Sequence, residues 1–414
     1  MPIDRTRAIE LHRKARGKIK IYPTINIHNE EEMALAYIPG SVPPALAIQQ
    51  DEGMSFEYTG RGNRIAVVTD GSAVLGLGNV GPYAALPVIE GKCLLFKLFG
   101  DVNAYPLCVG SQDTEDILHF CALLAPTLGG INIEDISSPK AFTIVRELRN
   151  RINIPVLCDD QHGTAVIVLA GIYNALEVQG RKLEDMKIVI NGAGSAGIAT
   201  AELLLKTGAK DIVVLNSAGI LGEDNPRMNH TQEELAEITN PGKITGGLDK
   251  AMEGANIFVG LSKGGVLPPG NIRLMSGDPV ILAMALPEPE ILPEEAIAAG
   301  AAIVATGGPG YQNAMPNSLS TPGIMRGLLD VRATVLNHTM LLAAARALAD
   351  VVDRRRLGPG KIIPDIFCDE TAPRVAEAVG QAAIAEGFAT KEVPKGEIYN
   401  NLWQNLYGEQ ITRF

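Results

Sequence analysis

A succession of short, unbroken apolar runs, separated by longer helix-like stretches, constrains this chain more than any other feature. From Arg64 onward the runs are IAVVT (65–69), CLLFKL (93–98), INI (131–133), PVLC (155–158), KIVIN (187–191), DIVVLN (211–216), NIFVGL (256–261), PVILAMAL (279–286) and AIVAT (302–306). A strand with one wet face alternates apolar with polar residues, whereas an unbroken apolar strand is covered on both faces, as in a parallel sheet. Residues 114–124, 139–151 and 196–207, between the runs, carry helical spacing. The expected class is therefore α/β, with parallel sheets clothed by helices.

At 414 residues the chain exceeds what one compact core supports, so more than one domain is expected. The polar stretch EVQGRKLEDM (177–186) precedes a fresh strand–glycine–helix unit and marks a boundary. The apolar run TAVIVLAGIYNAL is too short to span a bilayer and reads as a buried connector helix over 163–178. We expect an N-terminal α/β domain over 1–162 and a Rossmann-type, doubly wound domain over 163–321 that starts with the connector. A C-terminal helical segment should occupy 322–414, with one long helix running through Val352. Its aromatic tail (Tyr399, Trp403, Tyr407, Phe414) is costly to leave in water and should pack on the first domain or on another subunit.

A net charge of −11 without a basic cluster argues against a nucleic-acid partner. The opening MPIDRTRAIELHRKARGK is charged and lacks the apolar core of a secretory signal, so a cytoplasmic location and no membrane contact are expected. Five scattered cysteines without CxxC spacing read as small buried hydrophobes, not as disulfides or a zinc site.

Gly192-Ala-Gly194-Ser195-Ala196-Gly197 follows the strand KIVIN and opens an Ala/Leu-rich helix, the setting that the GxGxxG dinucleotide fingerprint requires. The first glycine makes the turn, the second admits a pyrophosphate, and the third lets helix and strand pack closely. The helix N-terminus then offers free N–H groups to the phosphates. At the end of the next strand, where an acid would bind a ribose, stands Asn216. An amide can bond a 2′-hydroxyl and does not repel a 2′-phosphate, so NAD and NADP both stay open.

Two acidic pairs, Glu134-Asp135 and Asp159-Asp160, each follow a short apolar strand. In open α/β sheets ligands gather beyond the carboxyl ends of strands, so both pairs are expected at one crevice. Four crowded carboxylates repel unless a cation joins them, and an all-oxygen set favours Mg²⁺ or Mn²⁺. Taken singly, either pair could simply cap the next helix. His162, in the Gln161-His162-Gly163-Thr164 string, could donate to a ligand or satisfy local backbone.

These strings, with AYIPG (36–40), VTDGSAVLGLGNVGP (68–82), PVIEGKCLLFK (87–97), GGINIEDI (129–136), CDDQHGTAV (158–166), NGAGSAGIA (191–199) and TPGIMRGLLDVRA (321–333), resemble in order the short bacterial-type malic enzymes. The likeness spans essentially the whole chain. It implies metal-dependent oxidative decarboxylation of malate to pyruvate and CO₂, with hydride transfer to NAD or NADP. It also implies a first domain carrying catalytic groups and metal, and a homodimer or dimer of dimers. In that family Lys92 matches the general base, which needs a lowered pKa, and Asp159 the residue that orients it. Glu134, Asp135 and Asp160 match metal ligands, Tyr37 matches the acid that protonates the enolate carbon, and Asn317 matches a substrate-binding amide.

Three positions depart from the family pattern. Ile38 replaces a hydroxyl residue after Tyr37, Leu286 stands where a substrate-binding Asn is expected, and Pro316 replaces the Asn neighbour of Asn317. Losing one such contact costs about 1–3 kcal/mol. These departures leave open an oxaloacetate decarboxylase or an oxidative decarboxylase of another 2-hydroxy diacid, and more remotely a non-catalytic binding protein.

Overall fold

The computed structural model describes residues 4–74 and 76–408. Two sheets organise it. The first has strands β1 (Arg64–Thr69), β2 (Asn103–Cys108), β3 (Gly130–Ile133) and β4 (Val156–Cys158), all parallel, in the order β2-β1-β3-β4. The second comprises β5 (Lys187–Asn191), β6 (Asp211–Asn216), β7 (Gly219–Ile220), β8 (Ile257–Gly260), β9 (Val280–Ala283) and β10 (Ile303–Thr306), ordered β10-β9-β8-β5-β6-β7. Only the short β7 runs antiparallel. Within β1, Ile65 and Val67 enter one apolar core while Ala66 and Val68 enter another, so both faces are covered, as the unbroken run predicts.

The run CLLFKL is a correction. It lies inside helix Gly81–Gly100, which buries Ala85, Ile89, Cys93, Phe96 and Gly100. Those spacings of three and four are helical, but a six-residue apolar window cannot separate the two periods. The strand that flanks β1 on the side away from β3 is instead β2, NAYPLC. Its Pro106 cannot donate to a ladder and is tolerated because β2 is an edge strand.

The helix expected over 163–178 spans Thr164–Gln179 and is closed by Gly180 in the left-handed region. The long helix expected through Val352 is two helices, Thr321–Asp330 and His338–Asp350. Asn337 starts the second by accepting from the Met340 N–H, a side-chain cap that competes with continuation of the first. Glycines let these helices dock. A Cβ at Gly100 would lie 2.9 Å from the Pro322 carbonyl oxygen, and one at Gly327 only 2.3 Å from that of Ala376.

Helix Glu397–Tyr407 packs on helices Thr371–Ala385 and Gly81–Gly100, burying Ile398 and Leu402. Tyr399 Oη donates to Glu370 and Trp403 tilts against Tyr407, while Phe414 lies outside the described residues. All five thiols are free, and Cys93, Cys121 and Cys158 are buried. Among the described residues no helix is long and apolar enough to cross a membrane.

Candidate active site

Strands β3 and β4 are adjacent and parallel, so the residues after them emerge side by side. Carboxylate oxygens of Glu134, Asp159 and Asp160 lie within 4.8 Å of one another. Neither pair caps a helix: Lys140–Arg151 begins after Pro139 and Thr164–Gln179 after Gly163, both without a side-chain cap. Asp135, the fourth carboxylate, is buried beside this set and acts electrostatically on both Glu134 and Asp160. Asp135 adopts a left-handed backbone (φ 53), and its N–H donates to Asp160 Oδ2 at 2.9 Å.

Lys92 projects from helix Gly81–Gly100 into this cluster, with its side chain 10% exposed. Its Nζ lies 2.7 Å from Asp159 Oδ2, 3.1 Å from Glu134 Oε1 and 3.5 Å from Asn317 Oδ1. Asn317 Nδ2 donates to the same Asp159 oxygen. Burial alone would depress the Lys92 ammonium, but Asp159 and Glu134 outweigh it and hold the amine protonated, opposite to the shift a base requires. Burial, then Asp159, raises the Glu134 carboxyl well above its ordinary range. Burial, then Asp135 and Asp159, pushes Asp160 up to about 7.

This electrostatic imbalance fits a divalent cation. Three carboxyl groups face one ammonium, so ionising all three would leave two negative charges uncompensated, and Asp159 Oδ1 is buried without a hydrogen bond among the described residues. An all-oxygen carboxylate set of this kind suits a hard cation such as Mg²⁺ or Mn²⁺.

The pH consequence has a definite sign. The cation-free folded protein keeps the Asp160 proton up to about pH 7, whereas the unfolded chain releases it near the ordinary carboxylate value of 3.8. Folded stability from this group therefore falls as pH rises through that window. A cation binds the deprotonated form, so the melting-temperature increase caused by Mn²⁺ should be larger above about pH 7 than one unit below it. Thermal melts with Mn²⁺ and with chelator check this; an equal increase at both pH values removes Asp160 from the set.

The dinucleotide turn has the geometry its glycines predict. Gly192 has φ 130, and a Cβ there would lie 2.3 Å from the Leu261 carbonyl oxygen; one at Gly197 would lie 1.7 Å from that of Gly192. Gly194 faces open space, with no heavy atom near a Cβ, and precedes helix Ser195–Lys206 without a side-chain cap. Ser195 and Ala196 form the uncapped first turn, whose N–H groups are the phosphate donors expected of such a helix. Gly194→Ala should leave stability within about 0.5 kcal/mol yet raise the dinucleotide KM about tenfold, whereas Gly197→Ala should destabilise by about 3 kcal/mol or more. Denaturation curves and saturation kinetics separate the two.

Asn216 ends β6, but its amide is engaged locally: Nδ2 donates to the Arg227 carbonyl at 2.7 Å, and Oδ1 accepts from the Ala218 N–H at 2.8 Å. Tyr37 follows helix Glu30–Ala36, is 65% exposed, and its phenol makes no hydrogen bond among the described residues. Ile38 is equally exposed, and Leu286 and Pro316 are half-buried. His162 is buried, accepts from the Cys158 N–H through Nδ1, and is pushed down to about 3 by burial, then by Arg149.

Two residues were missed by sequence reasoning. Asn132 is fully buried and donates to Glu134 at 2.7 Å; a lone amide inside an apolar strand was its only signal. Glu290 is also fully buried and accepts from the N–H groups of Ser262 and Ala285, tying together the loops after β8 and β9.

Fold and site together define a two-sheet α/β dinucleotide-dependent enzyme with a buried, lysine-bearing carboxylate cluster. Residues 161–384 match the family model "Malic enzyme, NAD binding domain" and residues 14–119 "Malic enzyme, N-terminal domain". The chain is 44% identical to the bifunctional malic/malolactic enzyme of Bacillus subtilis, over 95% of this chain and 96% of that one. It is 43% identical to the NAD-dependent malic enzyme of Geobacillus stearothermophilus, covering 92% of this chain and 80% of the relative. The crystal structure of malic enzyme from Pyrococcus horikoshii superposes with a TM-score of 0.93 at 40% identity, covering 97% of this chain and 95% of that one. The chain belongs to the malic enzyme family.

Proposed function

We propose that the protein catalyses oxidative decarboxylation of malate to pyruvate and CO₂, with hydride transfer to NAD or NADP. The observation that carries this reading is the contact of one buried amine with carboxylates of a three-carboxylate cluster, in a chain that also bears an uncapped dinucleotide turn. Glu134, Asp159 and Asp160 would hold Mg²⁺ or Mn²⁺, with Asp135 beside them. Such a cation supplies Lewis-acid stabilisation of oxygen charge as CO₂ departs, and the dinucleotide supplies the hydride acceptor.

Lys92 Nζ is placed to accept the C2 hydroxyl proton as hydride leaves, with Asp159 and Asn317 fixing its direction. Neutralising the carboxylates removes part of the potential that keeps the amine protonated, which is how Lys92 becomes a base. Asn317, beside Lys92, is also positioned to orient the substrate.

Tyr37 as proton donor to the enolate carbon needs a further step, because its phenol stands in solvent. A homodimer or dimer of dimers supplies one. The stretch around Tyr37 exposes Ile21, Tyr22, Ile25, Leu35 and Ile38, an apolar surface that a second copy would cover. A cytoplasmic location accords with the cofactor demand. The oxaloacetate-only alternative is not favoured, since the dinucleotide turn and Lys92 are both in place. Formation of reduced dinucleotide from malate with Mn²⁺, tried with NAD and NADP separately, tests the activity; no turnover with either defeats it.

A further inference from the structure

Beside the turn that carries Asp159 and Asp160 lies a cavity of about 180 Å³, none of whose lining residues belongs to the carboxylate cluster or the glycine turn. Its buried part includes Gln161 and His162, 3% and 8% exposed; the exposed Arg146, Arg149, Glu202 and His338 form its polar rim, and apolar side chains line the rest.

Hydrogen-bond donors outnumber acceptors there. The Cys158 backbone N–H donates to His162 Nδ1 at 3.0 Å, which fixes the neutral ring's proton on Nε2. Arg149 Nη2 stands 3.4 Å from that same Nε2, and a guanidinium nitrogen is a donor only. Two donors therefore meet head to head. Gln161 Nε2 is buried and donates to nothing among the described residues. Buried donors without acceptors cost about 1–3 kcal/mol each, so a site that keeps them implies a missing acceptor.

We infer that this cavity binds a small oxyanion, a carboxylate or a phosphate, held by Arg149 and His162 Nε2–H with the buried Gln161 amide behind them, as an effector of the cation site. Oxyanions with several lone pairs answer converging N–H donors, and guanidinium is the strongest of these. Arg146 adds positive charge, and Glu202 opposes it. The connection to catalysis is covalent: Gln161 and His162 occupy the same five-residue helical turn, Asp159–Gly163, as two of the convergent carboxylates. Coupling between two such sites is reciprocal. This coupling rests on the proposed cation site, whereas anion binding does not.

The test is calorimetric titration of the full-length protein, saturated with whichever of NAD and NADP it binds so that its phosphate-binding helix is blocked, using inorganic phosphate and acetate in separate arms. One saturable site is expected, weakened about tenfold or more by Arg149→Met and tightened about threefold by Glu202→Gln. Improvement in the second variant cannot come from misfolding. Tighter phosphate than acetate would identify a phosphate-type effector, and the reverse a carboxylate. No saturable binding, or affinities unchanged in both variants, overturns the site and means that water alone meets the donors. Mg²⁺ affinity is then measured with and without acetate; equal values overturn the effector role while leaving the anion site standing.

Discussion

Lys92→Ala is expected to cut malate-dependent dinucleotide reduction by about 10²–10⁴-fold, the usual contribution of a positioned general base. The loss should fall on kcat, with the dinucleotide KM unchanged, because Lys92 touches Asp159, Glu134 and Asn317 and no residue of the glycine turn. The variant also leaves the fully buried Asp159 without its ammonium partner, and stripping one member from a buried pair costs about 3–5 kcal/mol. The cation-free variant should therefore melt well below the wild type, and Mn²⁺ should recover a larger share of stability than in the parent. Dinucleotide binding measured with Mn²⁺ present separates lost chemistry from lost folding. A variant that retains turnover within a few-fold would remove Lys92 from the reaction.

Glu134→Gln should weaken Mn²⁺ binding by at least about 10²-fold, beyond the range seen when only a residue supporting a metal ligand is changed. Activity should fall with it and should not return at raised Mn²⁺. The stability effect runs the other way. Burial and the neighbouring Asp159 already raise the Glu134 carboxyl, so its charged form is strained in the cation-free protein. An uncharged amide that still faces Asn132 and Lys92 removes that strain. In neutral or basic buffer with chelator, Glu134→Gln should melt no lower than the wild type, and only the wild type should gain stability when Mn²⁺ replaces chelator. A variant that melts much lower in chelator while keeping its Mn²⁺ response would make Glu134 structural.

Several parts of the fold and site were legible because their signals are local. The glycines at 192, 194 and 197 follow a strand that pairs as its apolar run demands, and each meets the neighbour or the open space its role requires. The acidic pairs follow β3 and β4, and parallel adjacency alone brings them together. The failures have equally specific causes. CLLFKL is apolar at both the strand and the helix period, and the choice fell to packing against β2 and helix Thr321–Asp330. The break before His338 depended on one capping amide.

The chain by itself determined the parallel α/β layering, the dinucleotide turn and the acidic chemistry at adjacent strand ends, since each is written in residues close together in sequence. The tertiary structure alone decided how closely the carboxylates of Glu134, Asp159 and Asp160 approach one another, within 4.8 Å. It also decided that Lys92 and Asn317, 225 residues apart, meet over Asp159, and that Tyr37 remains in solvent. Such contacts depend on how separate elements dock, and no local spacing encodes that.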